Sequence, residues 1–154
     1  MTEISQTPHC REAEEAVLGA VLINPEVYIE LSEFLTAEDF FIHRLRFIWQ
    51  AFERLSARRL PIDALTVSTE LEDMSRLEEI GGPAFLTSLL NAVPTSLHAE
   101  AYGQIVRAAA IRRKLLAAAN QIATLAYDQE LELPVVTEQS VAALEGAVLR
   151  ETQG

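Results

Sequence analysis

Residues 98–127, HAEAYGQIVRAAAIRRKLLAAANQIATLAY, decide the fold, because they carry a helical pattern for about eight turns and are apolar around too much of the circumference. No proline interrupts them, and Gly103 is the one glycine. A helix lying on a single core needs one apolar stripe at i, i+3, i+4, i+7. This stretch carries two: Ala101, Ala108, Ile111, Leu115, Ala118, Ile122 and Leu125, and beside them Tyr102, Ile105, Ala109, Leu116, Ala119 and Ala123. One stripe can face its own chain, which leaves the other in need of a second surface. At a rise of 1.5 Å per residue the helix is about 45 Å long and should protrude from the globule that precedes it. The stretch reads as an element of assembly rather than of catalysis.

Composition narrows the classes of function. The chain has 154 residues, 49% of them apolar, enough for one ordinary domain, or a small domain plus an extension, with a core, and too many for general disorder. Its apolar runs are too short to span a membrane, and MTEISQTPHCREAEE lacks the basic start and apolar stretch of a secretory signal. The lone cysteine, Cys10, has no internal disulfide partner, which suits a reducing cytoplasm. Asp and Glu number 23 against 12 Lys and Arg, for a net charge of -11. Nucleic-acid affinity rests on neutralising phosphates with cations, so strong direct DNA binding is not expected.

Helical periodicity continues on both sides of the central stretch, giving an all-α fold. Ala13, Val17, Ala20 and Val21 mark one face of a helix over 11–24, and Asn24-Pro25 should cap and open the next. Residues 36–39 form a capped turn before Phe40-Phe41. Leu45, Ile48, Trp49, Phe52 and Leu55 then specify a helix over 43–57. Asp63 or Thr66 can cap a short helix through Leu71 and Met74, and Gly81-Gly82-Pro83 precedes a helix bearing Phe85, Leu86, Leu89 and Leu90. Pro94-Thr95-Ser96 ends that unit. A last helix over 137–150 carries Val141, Leu144 and Val148, so the long helix, a short loop and this helix make a hairpin. Leu133 to Val136 is too short for a strand and contains Pro134. The expected organisation is a compact multi-helix globule over 8–94, a protruding helical hairpin over 95–150, and flexible ends at 1–7 and 151–154.

Catalytic chemistry finds little support. His9, His43 and His98 have no metal-ligand spacing to one another or to Cys10. The clusters Glu12/Glu14/Glu15, Glu70/Glu72/Asp73 and Glu78/Glu79 read as solvated helix faces. Neither G-x-x-x-x-G-K-[ST] nor G-x-G-x-x-G occurs, so no nucleotide site is expected. Arg107, Arg112, Arg113 and Lys114 form the one net-basic stretch. Arg107, Lys114 and Gln121 fall seven apart, which suggests a solvated face or a contact with an acidic partner. No aromatic residue interleaves them as a base-stacking site would require.

Taken in order, several motifs resemble those of one family. Glu12-Ala13-Glu14-Glu15-Ala16-Val17-Leu18-Gly19, Asp39-Phe40-Phe41 followed by His43 and Ile48, Asp63 with Thr66, Gly81-Gly82 with Phe85-Leu86, and Tyr102 with Ile105-Val106 and Arg112 resemble the N-terminal domain of DnaB-type bacterial replicative helicases. The likeness extends over about residues 8–127. It implies a helical globule and a hairpin that pairs between subunits, up to a hexameric collar where primase and, in some bacteria, a loader dock. It also implies a place in the cytoplasmic replisome. The ATPase motor of that family, with its ATP and magnesium, has no counterpart here, so no cofactor and no enzymatic activity are expected of this chain.

The residues expected at the subunit or partner interface are Tyr102, Ile105, Ile111, Leu115, Leu116, Ile122, Leu125, Val141, Leu144 and Val148, with Arg107, Arg112, Arg113 and Lys114 as polar contacts. Which stripe faces the chain itself stays open. Three other readings compete: the helicase-binding domain of a primase, a free-standing helicase adaptor, and a small helical enzyme with a buried carboxylate pair. The last requires acidic residues at apolar-face positions, which the well-specified helices are expected to lack.

Overall fold

The structure, a computed structural model, describes residues 6–93 and 95–152. Among these are eight α-helices, one 3-10 turn and no strand. The helices are α1 (Arg11–Ile23), α2 (Val27–Ser32), α3 (His43–Ala57), α4 (Ala64–Asp73), α5 (Leu77–Ile80), α6 (Gly82–Ala92), α7 (Ala99–Tyr127) and α8 (Leu133–Thr152), with the 3-10 turn at Ala37–Asp39. Of the chain ends expected to be flexible, residues 1–5, 153 and 154 lie outside the described residues, as does Pro94 in the turn before α7.

Residues 9–107 form one compact unit, the head; a second comprises 108–152 with 6–8 among the described residues. The division falls inside α7 rather than at the 94/95 turn. The first turns of α7 belong to the head for a packing reason. Ala99 and Val106 are buried in its core. A Cβ at Gly103 would lie 2.8 Å from Leu31 Cδ2 and 3.0 Å from Phe34 Cζ. Arg107 donates from Nη1 to the Phe34 carbonyl at 2.6 Å.

The head is built around Trp49. Its ring meets Tyr28 at 5.1 Å, Phe40 at 5.3 Å and Phe52 at 5.8 Å between centroids, the last edge-on. Leu45, Ile48, Phe52 and Leu55 share its face of α3 and are all buried. The sequence places one apolar face on α1, yet α1 is covered nearly all round, with residues 16–22 buried. That makes it the central helix. Gly19 is where α6 crosses it, since a Cβ there would sit 2.4 Å from the Leu89 carbonyl oxygen.

Local signals account for the helix ends. Asp63 Oδ1 accepts from the Thr66 amide at 2.8 Å while Thr66 Oγ1 accepts from the Asp63 amide at 2.9 Å, a reciprocal cap on α4. Thr36 and Asp39 close the 3-10 turn in the same way. Asn24 Oδ1 accepts from the Glu26 amide, but the chain makes a turn at Pro25-Glu26, so α2 starts at Val27 rather than at the proline. Pro134 lies in the first turn of α8, where a missing N–H costs nothing, and α8 starts earlier than the sequence suggests. Four-residue α5 was not foreseen.

Helices α3 and α4 both end in a Schellman motif. After α3, the Leu60 amide donates to Leu55 O and the Arg59 amide to Ser56 O; after α4, Arg76 and Ser75 do the same to Leu71 and Glu72. The left-handed position, usually glycine, is held by Arg59 (φ 58°) and Ser75 (φ 59°).

Candidate functional site

In the second unit, the remainder of α7 and α8 are joined by residues 128–132. Here the two stripes of α7 part company. Ala118 is buried and Ile111, Ile122 and Leu125 are half-buried, so this stripe is largely covered within the chain past the exposed Ala108. The neighbouring one is open: Leu116 is 51% exposed, and Ala119 and Ala123 are exposed too. Leu115, expected with the first stripe, sits at its margin, 38% exposed. On α8, Ala147 is buried and Val148 half-buried, whereas Val141 (55%) and Leu144 (48%) stay open. Thr137, Glu138, Val141, Ala142 and Glu145 line a shallow depression of about 450 Å³.

The ten apolar residues predicted from sequence are distributed over both units. Tyr102 and Ile105 belong to the head, where Tyr102 packs against the core with its ring edge-on to His98 at 6.4 Å. Ile105 is exposed. The basic stretch divides as well. Arg107 is buried in the head, contrary to a solvated face, because its guanidinium serves the Phe34 carbonyl at the end of α2. Arg113 donates to the Pro8 carbonyl at 2.8 Å and is half-buried. Lys114 is half-buried, and Arg112 and Gln121 are exposed.

Two acidic residues read as solvated are also buried, Glu14 and Glu70, along with Asp39. The sequence carried the signal: Glu14 precedes Val17 and Leu18 by three and four, and Glu70 lies between Val67 and Leu71-Met74 on one face. Their work is structural. Glu14 accepts from the Phe41 and Ile42 amides at 3.0 and 3.2 Å, supplying the carboxylate that the start of α3 lacks. Glu70 lies between two guanidiniums, paired with Arg58 and with Arg54 Nε at 2.7 Å; the latter is a charge contact rather than an aligned hydrogen bond. Each is thus held by its own set of donors. His9 stacks on Phe41 at 4.4 Å between ring centroids.

Elsewhere, burial lifts the Glu53 carboxyl above its usual range, opposed by the Ala37 amide and the Trp49 indole and assisted by the charge of Glu38. Burial, with a contribution from Glu53, pushes the Tyr28 hydroxyl up to about 12. No group of three metal-ligating side chains occurs among the described residues, and no helix there is long and apolar enough to cross a membrane.

Known proteins share this arrangement. The family of the DnaB-like helicase N terminal domain matches residues 6–108. The replicative DNA helicase DnaB of Geobacillus stearothermophilus is 39% identical over 133 residues, 86% of this chain and 29% of that protein. The replicative DNA helicase DnaC of Bacillus subtilis is 36% identical over 146 residues, 94% of this chain and 32% of that protein. The chain thus spans about a third or less of the helicases it matches. Among solved structures, the N-terminal domain of DnaB helicase from Mycobacterium tuberculosis superposes with a TM-score of 0.87 at 29% identity, over 92% of this chain and 99% of that one. A DnaB-like replicative helicase, solved in a study of its interactions with primase, shares the fold at a TM-score of 0.76 and 24% identity, over 90% of this chain and 31% of that one. The head, the long helix and the extent of these matches together show that the chain belongs to the DnaB-like helicase N-terminal domain family and corresponds to the non-catalytic N-terminal part of a replicative helicase.

Proposed function

We propose that this domain pairs copies of a replicative helicase through its second unit, as a step towards a closed ring, and offers the assembled collar to primase or a loader. The observation that carries the reading is the set of apolar side chains left open on both helices of this unit, Leu115 and Leu116 on α7 and Val141 and Leu144 on α8. Burying such surface contributes about 25 cal/mol per Å² before the costs of association. Repetition of one self-complementary contact with a second interface closes a ring. The solved relative studied with primase supports docking of that partner here. Unwinding, ATP and magnesium would belong to a motor domain, and the setting would be the bacterial cytoplasm.

Light scattering across a wide concentration range tests the assembly step. A mass of two or more chains that falls to one in Leu116→Asp and Val141→Asp, with the helical signal unchanged, is expected. A strict monomer at every concentration would remove self-pairing from this domain. Titration with the primase of the same organism tests docking separately, and an affinity untouched by either substitution would place that contact elsewhere.

A further inference from the structure

The head carries a second uncovered apolar surface, on α2, α4 and the turn between α3 and α4. Ile29 (67%), Leu60 (44%) and Leu65 (76%) are exposed there. Two depressions share Leu60 as a wall. One of about 510 Å³ is lined by Pro25, Tyr28, Ile29, Arg59, Pro61 and neighbours, and one of about 290 Å³ by Arg58, Leu65, Thr69, Asp73 and neighbours.

Arg59 sets the chemistry of this surface. Within the head, the side chains of Arg11, Arg44, Arg46, Arg54, Arg58, Arg76 and Arg107 each have a partner in the chain, a carboxylate, a carbonyl or an aromatic ring. Among the described residues of the head, Arg59 alone has none. It also occupies the left-handed position of a Schellman motif, where glycine fits with less strain. A strained residue whose guanidinium has no carboxylate, carbonyl or ring partner in the chain points to a use outside it. Beside it, Arg54 and Arg58 share the single carboxylate of Glu70, so three guanidiniums face one contacting anion. Glu26 lines the larger depression and Asp73 the smaller, which confines the cationic edge to the turn between them.

We infer that this surface docks an acidic segment of another protein, whose aliphatic side chains fill the depressions on either side of Leu60 while a carboxylate meets Arg59 and Arg58. Apolar anchors would supply affinity and the charge pair orientation. None of its residues is among those of the proposed pairing surface, so either reading can fail without the other.

Two synthetic amphipathic peptides test it, both with leucines at i, i+3, i+4 and i+7, one with glutamates at the remaining positions and one with lysines. Methyl NMR of the whole 154-residue chain reads where they bind, and fluorescence anisotropy reads affinity. The acidic peptide should shift the methyls of Ile29, Leu60 and Leu65 and bind at least about tenfold more tightly than the lysine peptide. Arg59→Gly should weaken the acidic peptide by a similar factor while raising thermal stability, a combination that a purely structural arginine would not give. Equal shifts with both peptides, no shift at these methyls, or shifts that follow protein concentration alone would overturn the inference, the last in favour of a second copy of the chain.

Discussion

The head and the second unit use apolar residues in opposite ways. In the head, Trp49, Phe40, Phe52 and Leu18 are fully buried and the aromatic rings touch one another. In the second unit the buried apolar side chains among the described residues are Ala110, Ala118 and Ala147, while Leu116, Val141 and Leu144 are exposed. A core of alanines buries little area, so the second unit gains less from folding alone and has more to gain from a partner surface.

Truncation should expose that contrast most sharply. Trp49→Ala is expected to cost about 3–5 kcal/mol in chemical denaturation, the usual range for deleting a buried aromatic side chain. Leu116→Ala should change the stability of a dilute monomer by less than about 0.5 kcal/mol. A larger loss that grows with protein concentration would sharpen the comparison, because it would show that the open stripe is buried in an assembly. Comparable losses for the two substitutions at high dilution would break it.

Glycine replacement gives the next largest difference. Gly19→Ala drives a methyl into the Leu89 backbone and should cost about 1–3 kcal/mol. Gly146→Ala, in the interior of α8 with nothing near its missing Cβ, should gain up to about 1 kcal/mol from helix propensity. Thermal melts of both variants check the opposite signs. Removal of a buried cap comes third: Glu14→Ala strips the acceptor from the Phe41 and Ile42 amides and should cost about 1–2 kcal/mol.

The smallest effect is a pH dependence confined to the head. Glu53 has a folded pKa above its unfolded value, so the folded state binds the extra proton. Its contribution is most favourable below the usual carboxylate range and is lost as pH rises from there through the raised value. Glu53→Gln should flatten that slope and leave the protein as stable or slightly more stable near pH 7. Denaturation midpoints at several pH values would show it, and a steeper slope in the variant would contradict the assignment.

Much of the fold was legible in the sequence, for identifiable reasons. The spacing of Leu45, Ile48, Trp49, Phe52 and Leu55 fixed α3 to the residue, and Asp63 with Thr66 announced the start of α4. Ordered motifs over residues 8–127 carried the family. The failures came where a residue's type pointed one way and its register another. Glu14 and Glu70 looked solvated because their neighbours are acidic, although their helical positions are those of core residues. Arg107 fell in a basic run, and its partner is a carbonyl 73 positions away that no local pattern reveals. The two stripes of α7 differ too little in composition for sequence to say which is closed, since alanine and isoleucine pack as readily against the same chain as against another. The division into compact units falls inside α7, where the first turns of the helix pack onto α2 and the segment after it, and the local signal of a proline-bearing turn does not reveal that packing.

That division has a practical meaning for anyone cutting the molecule. Proteases that separate domains attack extended, solvent-exposed backbone, and at residues 107 and 108 every peptide unit is wound into α7. Limited digestion should instead nick the turn at 95–98 or the link at 128–132, releasing fragments that sever α7 from the head before it or from α8 after it. Expression boundaries chosen at the border between the two units would amputate a continuous helix, leaving each half with a frayed end that the intact chain never presents.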